Sequence, residues 1–393
     1  MKVVMATSFP SDPLRPHGGV EAVSVQLTRG LASFDDLDVQ VVTTDRECAS
    51  PETIAWEGAT IHRLPWTAGK TLRHFTGPDR KEVLRYVESL KPDVIHAHDT
   101  YGLMVKGLNI PRVFTIHGFI HEDTIYSGQR FARIRSKLWK KVELAGWADQ
   151  PHIISISPYV RERLKGIATG IIHDIDNPID ASFFDIDRNE KSNVIFSAAL
   201  LNKRKNPIAL VEAVALLKQQ GVEAELRLAG RATDQEYFKH MQDRIAACGL
   251  ENQVKLLGEI DSVAVKKHLS ESAVFSLVSF EEGSPMGIEE SMAAGVPVVT
   301  SNRCGMPYML RDGESGFLVD PNDPADIAHR LRQMITNDEL RKKMGSESHE
   351  IAKARFHPAR VAARTREVYL RAARGSDAQA TTASGSGVGQ VSR

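Results

Sequence analysis

The stretch "SFEEGSPMGIEESMAAGVPVV", residues 279–299, places four carboxylates (Glu281, Glu282, Glu289 and Glu290) around a Gly-Ser-Pro-Met-Gly turn. A small-residue helix ending at Gly295 follows the turn. A helix that opens after such a turn offers free backbone N–H groups, which suits an anionic ligand. A second cluster, "KRKNP", sets Lys203, Arg204 and Lys205 before Asn206 and Pro207, which read as an N-cap and a first helical residue. Cations are disfavoured at the positive end of a helix dipole. A local rule broken without visible compensation marks a candidate site, and a bound diphosphate would supply the compensation. A solvated basic loop is the plainer alternative. In "RPHGGVEAVS", Gly18 and Gly19 open the first helix after a strand. They either bring backbone N–H groups close to phosphate or form a simple turn, and the spacing is not GxGxxG.

Three histidines fall at strand ends, His96 and His98 in "DVIHAHD" beside Asp99, and His117 in "VFTIHG". Zinc asks for a tighter ligand set than these strand ends define, so no metal site is assigned. His117 is favoured as a ligand contact because Gly118 permits close approach. The two "DID" triplets, 174–176 and 185–187, have the spacing to hold a divalent ion but read as solvent-facing loops. Six Lys/Arg between Arg130 and Lys141 alternate with Phe131, Ile134, Leu138 and Val142. Such a basic amphipathic helix suits an anionic membrane surface. The preferred reading is a core-docked helix with a charged outer face.

Short β-branched runs alternate with helical patterns throughout, which predicts parallel sheets covered by helices on both faces. Strands are expected at 2–7, 39–43, 60–64, 93–96, 113–117, 152–157 and 170–173. A second series is expected at 193–199, 223–229, 254–257, 274–278, 296–300 and 317–319. Helices are expected at 20–34, 80–90, 130–148, 208–219, 234–248, 262–270 and 288–294. The polar segment 180–193 separates the halves, so two Rossmann-like domains, 1–180 and 181–356, face each other across a cleft at their strands' carboxyl ends. Residues 357–374 form a last basic helix, and 375–393 form a disordered tail.

The chain has 393 residues, with 50 basic against 50 acidic side chains. Zero net charge argues against a dedicated nucleic-acid binder. Three scattered cysteines fit a reducing compartment, hence the cytoplasm. No window reaches the ~20 apolar residues of a membrane span.

Taken together, "GGVE", "DVIHAHD", "TIHG", "ISISPYVRERL", "DNPID", "KRKNP" and "EEGSPMGIEESMAAGVPVVTSN" resemble the retaining glycosyltransferases of family 4, from about residue 2 to 373. The resemblance implies the GT-B fold and a nucleotide-sugar donor, with no cofactor and no metal. It implies that Glu282 holds donor-sugar hydroxyls and Glu290 the ribose diol. Ser284, Met286 and Gly287 supply N–H groups, Lys205 and Arg204 meet the diphosphate, and Gly18 and Gly19 lie near the phosphates. It also implies that His117 contacts the donor sugar, and that the last helix returns to the N-terminal domain. His98 and Asp99 are assigned to the acceptor side. The acceptor is a hydroxyl, with a lipid-linked one and membrane contact through 130–141 as options. Leu200 stands where the family usually has a phosphate-binding Arg, and "CGMPY" replaces "GGxPE". Competing readings are a non-catalytic nucleotide-sugar sensor, a glycoside hydrolase using Glu282 and Glu290, a sugar phosphorylase and an epimerase.

Overall fold

A computed structural model describes residues 1–69, 71–126 and 131–384. Arg130 and positions 385–393 of the expected tail lie outside the described residues. The first sheet contains β1 (Lys2–Ala6), β2 (Asp38–Asp45), β3 (Glu52–Trp56), β4 (Ala59–Pro65), β5 (Val94–His98), β6 (Arg112–Ile116), β7 (His152–Ser155) and β8 (Ile171–Asp174). Its order is β3-β4-β2-β1-β5-β6-β7-β8. The second contains β9 (Lys191–Ala198), β10 (Glu225–Ala229), β11 (Val254–Gly258), β12 (Ser272–Leu277), β13 (Val298–Ser301) and β14 (Gly316–Val319), in the order β11-β10-β9-β12-β13-β14. Only β3 and β4 pair antiparallel among the described strands.

Alternation along each strand shows why both faces must be covered. In β1, Val3 and Met5 join one buried cluster while Val4 and Ala6 join the opposite one. In β9, Ile195 and Phe196 divide in the same way. Helices cross over between parallel strands, so the loops that follow β1, β5, β6, β9 and β12 gather at the carboxyl ends.

The chain passes between the two units twice. It leaves β8 through residues 175–190, and it returns after helix Asp338–Arg355 into helix Pro358–Ser384. The crossings are bonded to each other, with Ile179 N–H donating to the Phe356 carbonyl at 3.1 Å and Arg355 pairing with Asp176 at 2.6 Å. The last helix buries Val361, Ala362, Val368, Tyr369 and Ala372 against Val3, Met5, Val25 and Leu27 of the first unit.

Several expectations are corrected. Strand β3 was not foreseen, because four of its five residues are exposed and nothing apolar alternates inward. Asp176 is not solvent-facing, since Arg355 holds it at the crossing. The last helix continues to Ser384, past the point where the chain was expected to lose structure. The basic helix Ala132–Trp147 docks on the core as expected, with a charged outer face, but not through the expected stripe: Trp139, Leu144 and Trp147 pack on the core, Ser136, Glu143 and Gly146 are buried beside them, and Phe131, Ile134 and Leu138 are exposed. Glu143 fixes that orientation by accepting from the Ile120 and His121 N–H groups at 2.8 and 3.0 Å. It thereby caps the neighbouring helix Ile120–Tyr126.

Candidate functional site

Helix Pro207–Gln219 follows the basic loop after β9, and helix Met286–Ala293 follows the carboxylate-rich turn after β12. Lys205 Nζ forms an ion pair with Glu282 Oε1, and Arg204 Nη1 lies 3.3 Å from the same oxygen. Burial pushes the Glu282 carboxyl up, but Lys205 and then Arg204 outweigh it, and the net shift is downward. Glu282 is therefore held ionised. Arg204 Nη1 also donates to the Glu281 carbonyl at 2.9 Å, and its Nε stands 3.5 Å from Asp123 on the first unit. Arg204 thus braces Glu282 and bridges the two units, while Leu200 is exposed.

Asn206 does not cap the helix as its position suggests. Its amide donates to the Pro321 carbonyl at 2.8 Å, and the Tyr237 hydroxyl, from the neighbouring helix, accepts from the Ile208 N–H at 3.4 Å. Pro285 and Gly18 stand at the N-cap positions of Met286–Ala293 and Gly19–Ala32 without a side-chain cap. These two helix N-termini keep backbone donors unspent among the described residues. The units touch here. A Cβ at Gly19 would lie 3.7 Å from Met286 Sδ, and one at Gly283 would lie 3.2 Å from the His117 carbonyl oxygen. Gly305 is required behind the turn, because a side chain there would collide with the Gly283 carbonyl, and its N–H donates to the Glu282 carbonyl at 2.8 Å. Gly287 is also tight, with Phe275 and the Ala198 carbonyl around its Cβ position.

Both His117 ring nitrogens are occupied, Nε2 by His98 Nδ1 at 2.9 Å and Nδ1 by Asn177 Oδ1 at 3.2 Å. Burial lowers its pKa, against Asp99 and Asn177. The group it turns toward Gly283 is its carbonyl. Asp99 accepts from the His117 N–H at 2.8 Å, and His98 is 1% exposed with Nε2 unpartnered among the described residues. These two residues hold His117 in place. His96 is further in, held by Tyr369 and Thr115, each at 2.7 Å, and burial lowers its pKa to about 3.

The four carboxylates differ sharply. Glu281 is pushed up to about 7 by burial and by Asp123. Glu290 is pushed up to about 8 by burial and by Asp180, against Lys266, and no donor side chain meets it among the described residues. Glu289 is fully buried and carried well above the usual range by burial. The Ser284 hydroxyl donates to it at 2.5 Å. Glu289 is thus a structural anchor of the turn, which the sequence reading overlooked. The signal was available: Glu289 lies three and four residues before Met292 and Ala293, on the buried face of its helix. Asp123 and Asn177 were missed too, because their partners lie far away in the chain.

Two parallel-sheet units closing on a cleft that holds a basic loop, a carboxylate-bearing turn and open helix N-termini define a glycosyltransferase of the GT-B class. The family model described as Glycosyltransferase Family 4 matches residues 17–183, and the one described as Glycosyl transferases group 1 matches 178–350. The chain belongs to these group 1, family 4 glycosyltransferases. It is 31% identical to the putative glycosyltransferase EpsD of Bacillus subtilis over 46% of each chain. It is 33% identical to the putative colanic acid biosynthesis glycosyltransferase WcaL of Escherichia coli over 37% of each. In these two matches the chain spans less than half the relative's length. A D-inositol 3-phosphate glycosyltransferase from a Nocardioides species is 25% identical over 90% of this chain and 85% of its own. In fold, the Anabaena protein Alr3699/HepE, solved with UDP-glucose, superposes with a TM-score of 0.72 at 17% identity, covering 94% of this chain and 100% of that one.

Proposed function

We propose that this chain is a retaining, metal-independent hexosyl- or pentosyltransferase that moves a sugar from a UDP- or GDP-sugar to a hydroxyl acceptor in the cytoplasm. The acceptor belongs to polysaccharide, glycolipid or glycoconjugate synthesis. The carrying observation is that Lys205 and ionised Glu282 pair beside the turn that opens helix Met286–Ala293, whose N-cap residue, Pro285, supplies no side-chain cap. The UDP-glucose of Alr3699/HepE and the colanic acid role named for WcaL support donor and pathway class.

In this reading the sugar C1–O bond to the diphosphate breaks as an acceptor oxygen attacks C1 from the same face. The acceptor's proton passes to the departing phosphate oxygen, so no protein base is needed. Lys205 and the N-termini behind Gly18 and Pro285 stabilise the charge that builds on the leaving group. Glu282 accepts from donor-sugar hydroxyls, Glu290 from the ribose diol, and the His117 carbonyl from the sugar. Ser284, Met286 and Gly287 present the turn's N–H groups. Closure of the units excludes water.

A thermal-shift series with UDP, GDP, ADP and their sugars tests this. One nucleotide set should raise the melting temperature with concentration. Lys205→Ala should weaken that binding by about 1.5–3 kcal/mol, the loss of a charge-assisted hydrogen bond. No response to any nucleotide sugar removes the reading. Binding without transfer to any acceptor would instead favour a sensor, a reading motivated by Leu200 in the place of the family's Arg.

A further inference from the structure

Helix Ala132–Trp147 packs Trp139, Leu144 and Trp147 on the core, with Ser136, Glu143 and Gly146 buried beside them. Its outward face nevertheless carries Ile134, 67% exposed, and Leu138, 49% exposed, with Phe131 at the N-cap 61% exposed. Spacings of three and four residues stack these side chains on one face. On the adjacent helix Ile120–Tyr126, Ile125 is also 51% exposed. Three large apolar side chains exposed at helical spacing are not the scattered exposure normal for a soluble surface.

Charge supplies the second observation. Arg133, Arg135, Lys137, Lys140 and Lys141 are all exposed, and no acidic residue occurs between 131 and 142. A chain of zero net charge thus concentrates five cations around this exposed apolar strip. Lysines are depleted at the centres of protein–protein interfaces. An apolar strip rimmed by Lys and Arg fits the boundary between headgroups and acyl chains of an anionic bilayer, where the apolar side chains enter and the cations stay at phosphate level.

We propose that this face docks the protein on anionic membranes. The placement sets the cleft at the bilayer. Asp123 of helix Ile120–Tyr126 faces Arg204 across the cleft, while Ile125, two residues on, points to solvent. Leu138 and Trp139 also line a groove of about 640 Å³ that runs along Ile120 and Leu72. The docking claim does not depend on the transferase reading, since it is a binding property of one face.

Flotation of the full chain with phosphatidylcholine vesicles, with and without phosphatidylglycerol, tests it. The protein should float only with the anionic vesicles, and less so as salt rises. Lys137→Gln/Lys140→Gln/Lys141→Gln should cut the partition coefficient by about a hundredfold, and Ile134→Glu/Leu138→Glu should abolish flotation. Both variants should keep the wild-type melting temperature, because the altered side chains are exposed. No flotation at low salt overturns the proposal. Flotation that survives both variant sets assigns it to another face and overturns it as well. A concentration-dependent dimer that the Glu variants dissolve, without flotation of the wild type, gives the patch to a second copy and also overturns it.

Discussion

The C-terminal unit treats its helix N-termini in two ways. Asp234, Asp261, Asp323 and Asn337 each accept from backbone N–H groups two or three residues on. At helix Pro207–Gln219, Asn206 turns its amide to Pro321 and the Tyr237 hydroxyl accepts from the Ile208 N–H instead, while at helix Met286–Ala293 Pro285 has no side-chain cap to offer. The capped ends are finished for stability. The Met286 end forgoes that stabilisation, which marks it as an end completed by a ligand. Lys205 and Arg204 can sit beside the start of helix Pro207–Gln219 because Glu282 lies between their charges.

The sharpest way to break this contrast is Glu282→Ala. It leaves two partly buried cations beside the positive end of a helix and should destabilise the protein by about 3–5 kcal/mol, read by urea unfolding. A nucleoside diphosphate should restore part of the loss. An Ala variant as stable as the wild type without ligand would sink the idea that Glu282 compensates these charges. Asp234→Ala or Asp261→Ala should cost about 1 kcal/mol of stability and leave nucleotide affinity unchanged by calorimetric titration. If either variant alters affinity, the division between side-chain-capped and open ends is wrong.

The smallest effect concerns pH. The Glu290 carboxyl is raised to about 8 in the folded protein, so the native state holds a proton that the unfolded state releases near 4.3. Stability from this group is complete below that unfolded value and is lost as pH rises through about 8. Nucleotide affinity should move the opposite way if the ribose diol needs a carboxylate, strengthening up to about pH 8. Glu290→Gln should flatten both profiles, and an unchanged affinity profile in that variant would free Glu290 of the ribose role.

Much of the architecture was legible because the strands are short, β-branched and buried on both faces, as Val3, Val4 and Met5 show. Strand β3 was not, since an exposed edge strand carries no apolar signal. At the site, residue type and spacing isolated Lys205, Glu282 and Glu290. They could not tell that Asn206 declines its cap, that Arg204 is spent on Glu282 and Asp123, or that Glu289 anchors Ser284. Those facts depend on the direction of a side chain and on partners distant in sequence. The basic helix teaches the same limit. Its periodicity marks one apolar face, but Glu143, bonded to a neighbouring helix, decides which face turns inward.

The two chain crossings carry a mechanical consequence. A single linker would let the units swivel freely. Here residues 175–190 and the start of helix Pro358–Ser384 run side by side, joined at Ile179–Phe356 and Asp176–Arg355. Two pins on one line leave a door one way to swing. The units can open about that axis, but they cannot slide or twist past each other without breaking those bonds. Each closing stroke therefore brings Gly19 back to Met286 and Arg204 back to Asp123 in the same register.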